Sequence, residues 1–395
     1  MAEYRMSFWN YVPLGMLDMN QSVEDWRKLG MNCPMSFRYD STKHSKKEFI
    51  NFLDICQEKG MKVIIDDSRT NFRTYLKKGY VYSKEEYYNG ARKAIEDFGT
   101  HPAVFGFSIG DEPWNCWDIA IDGMKICNEL APNLTHYVNL LPYWQNDNDE
   151  NNDGFFVATG CRTVEEYKEA VINYIKESGV KIICYDCYAQ CSYFQKDKYI
   201  DRYFANLKLF GEAAQKCGVE LWTCLLSVAH MSLREPTEDD IRYQISTAVA
   251  SGALGLVWFF MYERRWDYSF RNAPFDLFYE KTRTYEYLSR QTRTFMQVFA
   301  PKLKDYKFVW AKHYKTCYGG FEEFTFNDEI LNIEYLENEE PLIITKFENE
   351  KGEPLFAVTN NSNCKPTYVK ITFGAGKFAG KTKGVWYAPG QMLLW

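Results

Sequence analysis

The sequence predicts an α/β protein: a (β/α)8 barrel over residues 1–305, followed by a small all-β sandwich over 306–395. Three observations carry this. Short apolar runs alternate with amphipathic helical stretches eight times before Pro301. One run, Ala103 to Ile109, is nearly all apolar, as in a strand of a parallel sheet covered on both faces. From about Tyr306 the texture changes to short alternating runs separated by turn clusters such as Glu350-Lys-Gly352 and Asn360-Asn-Ser-Asn363. A doubly wound open sheet would call for a glycine-rich phosphate turn after the first strand, and none is present.

Taken in order, the first strand is expected at 7–12 and the first helix at 22–29, capped by Asn20 or Ser22 and stopped by Gly30. A strand at 32–37 leads to a helix at 45–59, in which Phe49, Phe52, Leu53 and Cys56 share one face. The third strand, 61–65, precedes a helix at 83–98 whose Ser83 and Glu86 have capping-box spacing. Strand four is 103–109, broken at Gly110 before Asp111 and Glu112, with Pro113 unable to extend a ladder. A helix at 116–130 and a strand at 135–141 follow. The excursion 145–154 is dense in Asn and Asp, and a helix at 163–177 comes next. The remaining pairs are 180–185 with 199–216 and 220–227 with 237–251, the latter helix boxed by Thr237 and Asp240. Strand eight at 253–260 and a helix at 282–299 close the barrel. The sandwich strands are expected at 307–311, 330–335, 342–347, 355–359, 368–373 and 384–387.

Composition narrows the class of partner. A net charge of -6 offers no basic footprint, so nucleic acid is excluded as a partner. No apolar stretch is long enough to suggest a membrane span, and the first ten residues do not read as a secretory signal. Twelve cysteines without small-domain spacing fit a reducing compartment, so a cytoplasmic location is expected. The 29 Tyr, 28 Phe and 11 Trp make the chain 17% aromatic, which suits a pocket that stacks rings on sugar C–H faces.

In a barrel, the carboxyl ends of the strands converge on one pocket. Strand one brings Trp9 and Asn10, strand two Arg38 and Asp40, and strand three Asp66, Asp67 and Arg69. Strand four brings Asp111 and Glu112 with Trp114 behind them, and strand five Asn139, Tyr143 and Trp144. Strand six ends in Tyr185, Asp186 and Tyr188, strand seven in Ser227 and His230, and strand eight in Trp258, Tyr262 and Glu263. Acids, aromatics and arginines without phosphate-binding glycines describe a site for a neutral, hydroxyl-rich ligand. A carbohydrate is the expected partner, and no cofactor is expected.

The run Asp111-Glu112-Pro113 at the end of strand four resembles the Asn-Glu-Pro motif of the barrel glycoside hydrolases in the clan of β-galactosidases and cellulases. The resemblance implies that Glu112 is the general acid/base and that Trp258 is the aromatic floor under the reacting sugar. It also implies a nucleophilic Glu at the end of strand seven, but Leu221–Ser227 and the residues to His230 carry no acid. Asp186, Glu263 and Asp67 remain as candidates for the second carboxyl that glycoside hydrolysis usually needs. The Asp-Glu pair is also similar to that of the barrel β-N-acetylhexosaminidases. That likeness implies a substrate 2-acetamido group as nucleophile, oriented by Asp111, with Glu112 as acid. The competing class is a carbohydrate-binding protein or an inactive relative of the hydrolases.

Other features point less sharply. Cys184, Cys187 and Cys191 lack a second cysteine pair at zinc spacing, so no metal is assigned. The acidic loop 146–153 lacks the closing Glu of a calcium loop. His230, Arg38 and Arg69 are assigned to substrate binding, although each arginine has nearby carboxylates to pair with.

Overall fold

The computed structural model describes residues 3–77, 81–145, 149–193, 196–264 and 269–395. Seven parallel strands form one curled sheet in the order Arg5–Phe8, Gly255–Phe259, Glu220–Leu226, Ile182–Asp186, Tyr137–Leu140, Val104–Asp111 and Val63–Ile65. The second stave, 32–38, spans the gap between the two edges by separate bridges. Cys33 N–H donates to the Met6 carbonyl (3.1 Å), Ser36 N–H to Ile64 (2.9 Å) and Ile64 N–H to Pro34 (3.0 Å). Pro34 has no N–H to give, so this stave cannot form a regular ladder. The result is the eightfold barrel that the alternation predicts, with helices outside it.

Two apolar layers follow from the twofold alternation of the strands. Trp9, Met35, Ile64, Tyr137, Cys184, Trp222, Cys224 and Val257 fill the barrel. Met6, Phe8, Ile183, Tyr185, Leu225 and Trp258 face the helices. The capping residues are placed as expected at Ser83, which accepts from Glu86 N–H at 3.3 Å, and at Thr237, whose box with Asp240 is complete. The first helix is a correction. It runs Met19–Lys28 and is capped by Asp18, which accepts from Gln21 N–H at 2.7 Å, so Asn20 and Ser22 lie inside it. A carboxylate at that position also meets the positive end of the helix dipole. The last helix, Arg283–Thr294, passes into a π turn at Phe295–Phe299.

After the barrel come two antiparallel sheets. One has the order Tyr306–Tyr314, Leu342–Asn349, Pro354–Asn360, Met392–Leu394; the other has the order Ile330–Glu337, Thr367–Phe373, Lys381–Tyr387. Six of these strands were legible as alternating runs. The three-residue edge strand Met392–Leu394 is too short to show a period. The four-stranded sheet leans on helix Glu238–Ala250: Thr345 donates to the Ala250 carbonyl (2.8 Å) and Tyr243 to Asn361 Oδ1 (2.9 Å). That helix in turn holds the end of strand seven, because the Gln244 side chain bonds both the N–H (2.7 Å) and the C=O (3.0 Å) of Leu226.

Strand four depends on a glycine. A Cβ built on Gly110 would lie 2.1 Å from the ring of Phe72, which is fully buried and has nowhere to go. Gly110→Ala is therefore expected to destabilise the protein by about 1–3 kcal/mol, as overpacked cores do, and denaturant unfolding would measure it.

Candidate active site

Strand four delivers both of its acids to the barrel mouth, by a route different from the expected break at Gly110. The strand stays regular to Asp111, with a bulge between Ser108 and Gly110 that sets Asp111 beside Asn139 of strand five. Glu112 then turns out of the sheet with φ +38°, a left-handed conformation that costs a non-glycine residue about 1–3 kcal/mol. Local bonds hold it there. Glu112 N–H donates to the Asn139 carbonyl (2.8 Å), and Trp114 N–H to the Glu112 carbonyl (2.6 Å). Arg73 clamps the same turn, donating to the carbonyls of Asp111 (2.9 Å) and Glu112.

Three carboxyl groups meet at this point. The Asn139 amide nitrogen donates one proton to Asp111 (3.1 Å) and one to Asp186 (2.9 Å), while its oxygen accepts from the Cys224 thiol (3.4 Å). Trp9 Nε1 donates to that thiol from below (3.4 Å). Asp186 acts on Glu112 through its charge. Burial and the negative charges of Asp186 and Asp111 push the Glu112 carboxyl up to about 9, against the pull of Arg73. Asp186 is raised well above the carboxylate range, first by burial. Asp111 is raised by burial too, but the Asn139 amide and the charges of Arg73, Arg264 and Arg38 oppose the rise. Neighbouring buried carboxyls cannot both ionise cheaply, so the Glu112–Asp186 pair keeps a proton through neutral pH. This is a proton donor at rest.

Beside the pair lies a cavity of about 350 Å³, lined by Tyr143, Trp144, Asp186, Tyr188 and His230 among others. Its size is near the lower end for small-molecule sites. Trp114, 43% exposed, stacks on Trp144 (5.8 Å) as a shelf at the rim. Tyr188 stacks on Phe259 (5.5 Å) and His230 on Phe270 (4.3 Å). Asn206 holds Tyr143 through both its N–H (2.7 Å) and its C=O (3.0 Å). Of the residues expected at the mouth, Glu112, Asp111, Asp186, Trp114, Tyr143, Tyr188 and His230 are gathered here. Trp9 forms the floor.

The others point elsewhere. Tyr185 follows the alternation outward and stacks on Phe210 of the helix layer (4.0 Å). Trp258 also faces the helices and donates to Met6 Sδ (3.1 Å); its neighbour Phe259, joined to Phe260 by a cis peptide, takes the inward place. The Tyr262 hydroxyl accepts from Trp26 Nε1 (2.8 Å), away from the mouth. Asp67 is fully buried against Arg69 (2.8 Å), and Arg69 reaches Asp97 on the outer helix (2.7 Å), so this pair braces the barrel wall. Asn10 is buried, its Oδ1 accepting from Val12 N–H (3.0 Å). Glu263 accepts from Ala273 N–H (3.3 Å), and neither Asp111 nor Glu112 is among the groups that shift it. Arg38 stays at the rim, paired with Asp66 (3.0 Å). Cys184 lies inside the barrel, while Cys187 accepts from Asn206 (3.7 Å). Among the described residues, no group of three His, Cys, Asp or Glu is arranged to hold a metal. Likewise, no described helix is long and apolar enough to cross a membrane.

No protein-family model matches the sequence, and no curated protein is similar to it. Solved structures are similar in fold. The endo-β-1,4-mannanase from Thermotoga petrophila aligns with 98% of this chain and 97% of its own, at TM-score 0.50 and 11% identity. The β-galactosidase from the psychrophilic Marinomonas ef1 aligns with 76% of this chain at TM-score 0.55 and 11% identity, and this chain spans 60% of it. The protein therefore has the fold of the (β/α)8-barrel glycoside hydrolases.

Proposed function

We propose that the protein is a glycoside hydrolase in which Glu112 protonates the leaving oxygen. The observation that carries this reading is the meeting of Asp111, Glu112 and Asp186 around Asn139 beside an aromatic-walled cavity, where burial and like charge raise the Glu112 carboxyl. The aromatic rim supplies faces for a sugar ring, and Asp111 and His230 supply polar edges.

A second group must complete the reaction. Retaining enzymes keep their two carboxyls about 5–5.5 Å apart and inverting ones about 6.5–9.5 Å apart. Asp186 is held by the Asn139 amide (2.9 Å), and its charge is, after burial, the largest cause of the Glu112 rise. An Asp186 engaged in keeping the proton on Glu112 favours a substrate 2-acetamido group as nucleophile, with Asp111, on the same Asn139 amide, orienting it, over attack by Asp186. Aryl glycosides of both anomers, with and without a 2-acetamido group, test the proposal. Release from the acetamido members alone is expected. Release from the plain members would make Asp186 the second catalytic carboxyl. If no glycoside is cleaved but sugars bind, the protein is a carbohydrate-binding relative.

A further inference from the structure

The mouth has a cationic side that the proton donor does not use. Tyr11, just beyond the first strand, stacks on Trp9 (5.9 Å) and carries two guanidinium groups over its ring: Arg264 at 3.6 Å and Arg38 at 5.0 Å. Phe260 (5.2 Å) and Phe270 (5.1 Å) also lie against Arg264. The three cations around Asp111 differ in what they are committed to. Arg38 is paired with Asp66, and Arg73 is spent on the carbonyls of Asp111 and Glu112. Arg264 has rings on its faces, yet it has no hydrogen bond or ion pair among the described residues, and its Nε is buried without an acceptor. Ring faces satisfy the charge of a guanidinium but none of its in-plane N–H donors. Those donors form a planar fork that fits two oxygens of one anion.

The place of this fork matters. Asp111 feels the charge of Arg264, and Phe270, which flanks it, stacks on His230 of the cavity wall. The Tyr11 hydroxyl is kept protonated by burial and by the negative charge of Asp111, so it is a donor next to the fork. We propose that the sugar bound at Glu112 carries an anionic group, a carboxylate or a sulfate ester, and that Arg264 receives it with the Tyr11 hydroxyl beside it. This rests on the reading of the mouth as a sugar site, and it replaces the neutral ligand that the strand ends alone suggest.

Calorimetric titration of the Glu112→Gln protein tests it, using free sugars so that both anomers are present. The probes are glucose against glucuronate, and N-acetylglucosamine against its 6-sulfate. One anionic sugar is expected to bind at least about tenfold more tightly than its neutral partner. A preference for glucuronate assigns a carboxylate, and a preference for the 6-sulfate assigns a sulfate ester. Adding Arg264→Gln should bring the ratio to about one, and Arg264→Lys, which keeps the charge without the fork, should restore part of it. Equal or tighter binding of the neutral sugars overturns the proposal, as does a preference that survives Arg264→Gln or the absence of binding by all four. The aryl glycoside panel is scored separately. Cleavage of neutral glycosides without anion preference leaves the hydrolase standing and removes the anion site. Arg264-dependent selectivity without cleavage does the reverse.

Discussion

Glu112→Gln is expected to lower kcat by about 10²–10⁴, the usual worth of a positioned general acid, while sugar affinity changes only a few-fold. The amide is a close replacement. Glu112 is already neutral at pH 7, because burial and the two neighbouring carboxyls push it up to about 9. Gln is neutral as well and nearly the same size. The turn that carries the residue is held through backbone groups, by Asn139 and Arg73, and does not depend on the side chain. The melting temperature at pH 7 should therefore match that of the parent, so that lost turnover reports the missing proton and not a damaged fold. Steady-state kinetics on whichever aryl glycoside the parent cleaves, with calorimetry for binding, gives both numbers. Full turnover in the variant would remove Glu112 from the chemistry.

What could be read from the chain, and what could not, divides along a physical line. Periods and punctuation are local, so the eight barrel units and the capping residues Ser83 and Thr237 were legible, as was the pair of acids after an apolar strand. The facing of a side chain is not local in the same way. Side chains alternate along a strand, so placing Tyr185 or Trp258 depends on the register, and a slip of one residue exchanges the pocket for the helix layer. Both were assigned inward and both point outward, while Phe259 takes the place given to Trp258. Charge at a strand end is ambiguous for another reason. Asp67 and Arg69 sit where catalytic residues could, yet Asp97, a helix away, draws Arg69 outward. Arg73 could not have been found at all, because its partners are backbone carbonyls 38 and 39 residues further on. Asn139 was noted at its strand end. Its role as the donor shared by Asp111 and Asp186 needs the three-dimensional neighbourhood.

Asp186→Asn is expected to move the basic limb of kcat/KM down by about one to two pH units, the usual effect of one nearby like charge. The sign follows from the direction of the Glu112 shift. A general acid works while protonated, so the parent should stay active through neutral pH and lose activity as pH climbs toward about 9. After burial, Asp186 is the largest cause of that elevation, and an amide removes its charge. Stability should follow the same linkage. A carboxyl raised in the folded state contributes stability that is fully present below its unfolded value of 4.5 and is lost as pH rises through about 9. The parent should thus unfold more easily at pH 9 than at pH 6, and Asp186→Asn should flatten that dependence. The same variant decides what Asp186 does. Surviving activity with a displaced limb makes it the residue that keeps Glu112 protonated, with the nucleophile coming from the substrate. Activity lost by about 10³-fold or more at every pH would instead mean that Asp186 itself attacks carbon or activates water.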